Sequence, residues 1–216
     1  MYLCSDGGIY YSKDEGVTWT DISDGLSITQ HYRLGMSTKD PNLIVCGAQD
    51  NGTSMFIKDA WYSAYGGDGM DCAIDPQDDN KIYFSSQYGN FGKSVNKGKT
   101  SQILVNPKAI NSIHGVNESG DWISPFAIDP QNSSTLYVCY NNVWRSTNAG
   151  GSWTKISKFN SSPITWFSVA PSNSNYLYVV IRDALYMTSN AGLNWTRIPI
   201  ESNNTITSVC VSPTNP

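Results

Sequence analysis

Short apolar runs alternate with polar turns along the whole chain. The runs are rich in β-branched and aromatic residues, as in "IYFSS" from Ile82, "LYVCY" from Leu136 and "LYVVI" from Leu177. Between them lie segments rich in Gly, Asn, Ser and Thr, which favour tight turns. Few segments have the composition of a surface helix. The pattern therefore predicts an all-β chain of many short strands.

A proline-containing phrase recurs and sets a period. It reads "AIDPQDDN" from Ala73, "AIDPQNSS" from Ala127 and "SVAPSNSN" from Ser168. Its prolines, with those of two weaker copies, are Pro41, Pro76, Pro130, Pro171 and Pro213, at intervals of 35, 54, 41 and 42 residues. Four-strand units of ~40–45 residues are typical of β-propeller blades. We therefore predict a single β-propeller domain of four-stranded antiparallel blades over residues 1–216, with an insertion at residues 106–122.

A second phrase reads "SKDEGVTW" from Ser12, "STNAGGSW" from Ser146 and "TSNAGLNW" from Thr188, and we call it the box phrase. It marks the turn between the third and fourth strands of a blade. Asp or Asn at its third position accepts backbone N–H groups, and Gly at its fifth adopts positive φ. The tryptophan covers the hairpin and packs towards the next blade. Asn replaces Asp in two copies, so the phrase indicates turn formation and not acid catalysis. The residues with this structural role are Ser12, Asp14, Gly16, Trp19, Ser146, Asn148, Gly150, Trp153, Thr188, Asn190, Gly192 and Trp195; a degraded copy starts at Ser94.

The two ends of the chain complement each other. The last residues, "ITSVCVSPTNP", read as an innermost strand, and the first residues supply the other three strands of a blade. We therefore predict about five blades, one of them built from both termini. Either the ring closes on itself, with Cys4 and Cys210 in neighbouring strands, or the chain is a piece of a larger propeller. We favour the closed ring.

Composition excludes several classes of partner. The net charge is −4 and the 14 Lys and Arg are scattered, so we expect no nucleic-acid partner. No apolar run is long enough for membrane insertion, and the N-terminus is not a signal peptide. All five cysteines lie in apolar runs and read as buried thiols. No sequence motif indicates a metal site or a cofactor.

The box phrase with its tryptophan resembles the Asp-box, or BNR repeat. This repeat occurs in sialidases, xyloglucan-active glycoside hydrolases, the sortilin ectodomain and a plastid photosystem assembly factor. The stretches "YGGDGMDCAIDP" and "CGAQDNGTS" look like segments of large secreted Asp-box proteins of the Bacteroidetes, which are described as glycosyl hydrolase-like. The resemblance implies an extracellular or cell-surface location. It says less about activity, because the box is a scaffold element in all these families.

Candidate binding residues lie on one face of the predicted propeller. Loops that enter the innermost strands and loops that join second to third strands converge there, while the box turns lie on the other face. Aromatic rings beside amides and carboxylates suit a sugar-binding surface. The candidates are His31, Tyr32, Arg33, Gln49, Asp50, Asn51, Asp68, Asp71, Gln87, Tyr88, Trp122, Trp166 and Arg182. We therefore expect a non-catalytic propeller that binds a glycan or a protein through this loop face.

Two alternatives remain open. In the first, the chain is a glycoside hydrolase-like enzyme or a fragment of one, with Asp68 and either Asp50 or Asp121 as a carboxylate pair. A sialidase is disfavoured because the four arginines do not supply a carboxylate-binding triad on the loop face. Xyloglucan hydrolases place their catalytic aspartates in two facing propellers, and this chain has room for one. In the second alternative, the chain is a structural or assembly module, with further blades or domains in a larger parent.

Overall fold

The repeats fold into successive antiparallel sheets. The computed structural model describes residues 1–5, 8–26, 29–107, 113–118, 120–159, 162–200 and 204–216. Within these ranges the chain forms five sheets and two single-turn 3-10 helices, at Gln87–Gly89 and Ile113–Gly115. This confirms the predicted all-β propeller of about five blades.

The sheets follow one another in chain order. The first has β1 (Tyr2–Ser5), β2 (Gly8–Tyr11) and β3 (Thr20–Asp21). The second has β4 (His31–Met36), β5 (Ile44–Ala48), β6 (Gly52–Ile57) and β7 (Ala60–Tyr65). The third has β8 (Gly69–Asp75), β9 (Asp78–Ser86), β10 (Asn90–Ser94) and β11 (Gln102–Val105). The fourth has β12 (Phe126–Ile128), β13 (Leu136–Cys139), β14 (Val143–Ser146) and β15 (Thr154–Lys155). The fifth has β16 (Trp166–Val169), β17 (Leu177–Ile181), β18 (Ala184–Thr188) and β19 (Thr196–Ile198).

Continuous apolar strands lie where a blade is covered on both faces. All four residues of β13 are buried, although successive side chains of a strand point to opposite faces. Neighbouring blades therefore cover both of its faces, as in sheets with no solvent side. Three buried clusters fill the junctions between the second and third, third and fourth, and fourth and fifth blades.

The box turns have the same hydrogen bonds in four blades. In the fourth blade, Ser146 Oγ donates to Asn148 Oδ1 and accepts the Gly150 N–H at 2.9 Å. Asn148 Oδ1 also accepts the Ser152 N–H at 2.9 Å. The degraded copy at Ser94 forms the same three bonds. The turn therefore survives loss of the tryptophan, because its bonds come from side chains within the phrase.

The box turns of the third, fourth and fifth blades rest on the blade that precedes them in the chain. A Cβ added at Gly150 would lie 2.5 Å from Leu104, and one added at Gly192 would lie 2.9 Å from the Ile156 carbonyl oxygen. Trp153 packs edge-on against Phe91, with ring centroids 6.0 Å apart. The prediction that the tryptophan packs towards the next blade is therefore wrong in direction. Which neighbouring blade the tryptophan meets depends on how the blades are arranged around the propeller, and the box phrase does not specify this.

A second contact ties the same junctions together. The residue before the box phrase is basic in the third and fourth blades and donates to the box of the following blade. Lys93 Nζ donates to the Ala149 carbonyl at 2.8 Å, and Arg145 Nη1 donates to the Ala191 carbonyl at 3.3 Å. These bonds satisfy carbonyl groups of residues that adopt positive φ.

The blade predicted from both termini does not form among the described residues. The segment 204–216 contains no strand, and β1 pairs with β2 alone. The Val209 carbonyl instead accepts hydrogen bonds from Trp166 Nε1 and Ser168 Oγ, which places this segment beside β16. Cys4 and Cys210 are exposed free thiols, whereas the other three cysteines are buried. The predicted innermost strand at the C-terminus and its pairing with β1 are therefore not observed among the described residues.

A glycine pair tests the contact between box turn and preceding blade. Gly192 and Gly25 have similar positive φ values of 92° and 84°, but an added Cβ meets Ile156 only at Gly192 and nothing within 4 Å at Gly25. Both Ala substitutions incur the cost of positive φ. We expect Gly192→Ala to lower the free energy of unfolding by about 1–3 kcal/mol more than Gly25→Ala, because overpacking adds to that cost. Equal losses in urea denaturation would contradict the contact.

Candidate ligand-binding face

The loop face assembles because innermost strands and connecting loops of four blades meet around one axis. Tyr32 and Arg33 stand on β4, Asp71 on β8, and Trp166 at the start of β16. Trp122 precedes β12. The structure brings together most of the residues that the sequence predicted for this face.

A chain of hydrogen bonds joins the second blade to the segment that enters the fourth blade. Trp122 Nε1 donates to the Tyr32 hydroxyl at 3.1 Å, and that hydroxyl donates to Gln49 Oε1 at 2.5 Å. The two aromatic residues are 90 positions apart in sequence. A buried or partly buried ring with its polar atom satisfied has a fixed orientation.

A third aromatic residue, Tyr88 of the third blade, lies beside Trp122. The ring of Tyr88 lies edge-on to that of Trp122, with centroids 5.3 Å apart, and the Tyr88 N–H donates to the Trp122 carbonyl. Tyr88 adopts a φ of 62° inside the 3-10 turn that follows β9. Its side chain is 40% exposed, so it remains accessible to a ligand.

Asp68 links two loops, one through its carboxylate and one through its backbone N–H. Asp68 Oδ1 accepts the Asp50 N–H at 3.0 Å, while the Asp68 N–H donates to Gln87 Oε1 at 3.2 Å. Asp50 itself has a φ of 59°. The third candidate carboxylate, Asp121, accepts the Trp122 N–H at 2.7 Å. Two of the three proposed catalytic carboxylates therefore accept backbone N–H groups of the loops that form this face.

A cluster of two charged side chains and one aromatic ring lies on the innermost strands. Its members are Arg33, Asp71 and Trp166. The Arg33 guanidinium lies over the Trp166 ring, 4.9 Å from its centroid. Burial raises the pKa of Asp71 to about 6, against the opposing effects of the Arg33 charge and of backbone N–H groups at Cys72 and Phe126. The pKa of the Asp71 carboxyl therefore lies well above the usual range of an aspartate.

Some predicted residues lie outside the cluster. His31 and Arg182 are exposed, and no side-chain contact in the described part of the chain joins them to it. Asn51 Nδ2 donates to the carbonyl of Gln49, which shapes its own loop. Arg182 occupies a tight turn with a φ of 58°, and its carbonyl accepts the Ile206 N–H.

Sequence reasoning missed a residue that supports the face. Ser85 Oγ accepts the Asp71 N–H at 3.0 Å and so fixes the start of β8.

A second missed residue belongs to a turn and not to the face. Buried Asp129 of the proline phrase accepts the Gln131 and Asn132 N–H groups. The repeated "AIDP" phrase contained this signal, because an aspartate before proline commonly accepts bonds in a turn. Ser85 carried no comparable signal in the sequence.

Among the described residues, no group of three His, Cys, Asp or Glu side chains is arranged to hold a metal ion. Within the same ranges, no helix has the length and apolar character needed to cross a membrane.

Comparison with known proteins gives the fold independently. No family model matches the chain. Over 110 residues the chain is 29% identical to xyloglucanase Xgh74A of Acetivibrio thermocellus, covering 45% of this chain and 12% of that protein. Over 183 residues it is 28% identical to a xyloglucanase of Hypocrea jecorina, covering 78% of this chain and 19% of that protein. The chain thus spans less than one fifth of the length of these curated relatives.

Solved structures agree with the architecture. An ancestral GH74 enzyme superimposes with a TM-score of 0.66 at 19% identity, covering 94% of this chain and 30% of that one. A chain of the nidogen/laminin complex superimposes with a TM-score of 0.63 at 13% identity, covering 96% of this chain and 80% of that one. The fold is a β-propeller. At these identities the structural neighbours establish no activity, and the weak sequence similarity supports a glycoside hydrolase-like propeller.

The raised pKa of Asp71 predicts a pH dependence of stability. Between about pH 4 and 6 the Asp71 carboxyl is more protonated in the folded protein than in the unfolded chain, so its contribution to stability falls as pH rises through this window. We expect the unmodified chain to lose on the order of 2 kcal/mol of unfolding free energy across this window relative to Asp71→Asn. Urea denaturation at both pH values measures this. An unchanged pH profile in the variant would contradict burial of an ionisable Asp71.

Proposed function

We propose that the chain is an Asp-box propeller module of the secreted xyloglucanase-like and sortilin-like group. In this proposal its loop face binds a neutral, β-linked glycan chain without hydrolysing it. The location is extracellular or at the cell surface. The observation that carries the proposal is the Trp122–Tyr32–Gln49 hydrogen-bond chain, which holds aromatic and amide groups from two blades in one accessible patch.

The chemistry of the patch suits a sugar. Aromatic rings stack on the C–H faces of pyranose rings, and amides bond to hydroxyl groups. Tyr88 and Trp122 supply rings from two further loops, and Gln87 supplies an amide beside them. Because the similar curated proteins are xyloglucanases, xyloglucan oligosaccharides are the first ligands to test.

Absence of hydrolysis is proposed from the role of the candidate carboxylates. A glycosidase uses two carboxyl groups that flank the scissile bond. Asp68 and Asp121 instead accept loop N–H groups, and Asp14 of the first box belongs to a turn on the other face. Carboxylates that hold loop N–H groups in this way have a structural role that accounts for their presence on this face.

A glycoside hydrolase remains the second candidate because of Asp71. A carboxyl group with a pKa of about 6 beside an accessible face is suited to donate a proton to a leaving group. Release of reducing ends from xyloglucan, abolished in Asp71→Asn or Asp68→Asn with binding retained, would favour this reading over ours. A folded chain that binds no glycan would favour the third reading, a structural or assembly module.

Substitution of one aromatic residue tests the binding proposal. We expect Trp122→Ala to weaken binding of a xyloglucan oligosaccharide by about tenfold, or ~1.4 kcal/mol, because the ring and its bond to Tyr32 are lost. Isothermal titration calorimetry measures the affinity.

Two controls separate binding from folding. Trp61 is 56% exposed and lies on β7 beside the Lys58–Asp59 turn, away from the loop face. Trp61→Ala should leave the affinity unchanged. Tyr32→Phe keeps the ring and removes the hydroxyl, so we expect a smaller loss, about threefold. Equal effects of Trp61→Ala and Trp122→Ala would be incompatible with a loop-face site.

A further inference from the structure

A groove runs along the rim of the propeller, on the side of the box turns. It lies between β15, the outermost strand of the fourth blade, and the box turn of the fifth blade, and its volume is about 970 Å³. The loop-face residues discussed above do not line it. It is therefore a surface separate from the candidate glycan site.

The groove is basic in an acidic protein. Arg145, Lys155 and Lys158 line it, and no carboxylate among the described residues does. The whole chain carries a net charge of −4. Lys158 is exposed at the groove and is not engaged in an ion pair among the described residues. Such a local reversal of charge attracts an anionic partner.

Aromatic side chains form the wall of the groove. The Phe159 ring contacts those of Tyr186 and Trp195, with centroids 5.0 and 5.3 Å apart. Leu193 of the box turn lies at the groove and is 82% exposed. A partner that fills the groove would therefore meet apolar surface as well as positive charge.

One segment of the chain already pairs a carboxylate with a lysine of this groove. Val116 of the insertion is fully buried between the third and fourth blades, in the cluster that contains Trp153. Two residues later, Glu118 Oε1 accepts a hydrogen bond from Lys155 Nζ at 2.8 Å, and Lys155 lines the groove. An apolar residue followed by a carboxylate thus already meets one lysine of the groove, while Lys158 has no ion-pair partner among the described residues.

We propose that the rim groove binds an acidic peptide segment of a partner protein. The segment carries an apolar side chain that packs at Leu193 and Trp195, and carboxylates that pair with Lys158 and Arg145. A polysaccharide fits less well, because the groove aromatics meet one another at interplanar angles of 50° and 67° and do not form one flat stacking platform.

Fluorescence anisotropy with a labelled synthetic peptide of alternating leucine and glutamate tests the proposal. We expect this peptide to bind the whole chain, with an affinity that falls as salt increases. Lys158→Glu should weaken binding by about tenfold, since it places like charges together. Leu193→Asp should weaken it at least as much, and both side chains are exposed enough that folding is retained.

The matched control is Lys99→Glu, an equivalent charge reversal at an exposed position of the third blade's box turn. It should leave the affinity within about twofold of the unmodified chain. Absence of peptide binding would overturn the proposal. So would equal binding of a peptide with glutamine in place of glutamate, equal weakening by Lys99→Glu, or displacement of the peptide by an oligouronate at lower concentration. Loss of glycan binding in Trp122→Ala bears only on the loop face.

Discussion

The box turns of the third, fourth and fifth blades lie against the preceding blade, and this contact closes one blade onto the next. A sheet whose strands are apolar on both faces cannot fold alone in water, because one face would remain exposed. The turn supplies glycine where the neighbour is closest: Gly150 faces Leu104, and Gly192 faces Ile156. A basic side chain then crosses in the other direction, from Arg145 to the Ala191 carbonyl. The same contacts recur because each blade repeats the same phrase.

The candidate glycan face is a consequence of this stacking. Blades placed in sequence around an axis bring loops together that are far apart in the chain, as with Tyr32 and Trp122. The innermost strands also approach closely: a Cβ at Gly35 on β4 would lie 2.9 Å from the Cys72 carbonyl oxygen on β8. Charged groups near the axis are partly removed from water, and this raises the pKa of Asp71. The rim groove instead lies at the outer edge of the blades, between β15 and the box turn of the fifth blade.

The sequence predicted what is locally encoded. The box turn depends on side chains within eight residues, so even the copy at Ser94 could be recognised without its tryptophan. The blade period and the residues of the loop face followed from the same repeat. Contacts between elements were not predictable in this way. Which neighbour Trp153 meets, where Val209 lies, and how Arg33 stacks on Trp166 depend on the rotation between blades, which no single phrase specifies.

Hydrogen exchange at two equivalent amides gives the most direct test of the account. The N–H groups of Gly16 and Gly150 donate to the hydroxyls of Ser12 and Ser146 at 2.8 and 2.9 Å, so their local bonds match. Only Gly150 lies against the outer strands of another blade. If that contact stabilises the turn, exchange at Gly150 should be at least about hundredfold slower than at Gly16. Equal protection factors would show that the turn is stable by itself, and would contradict blade packing as its source.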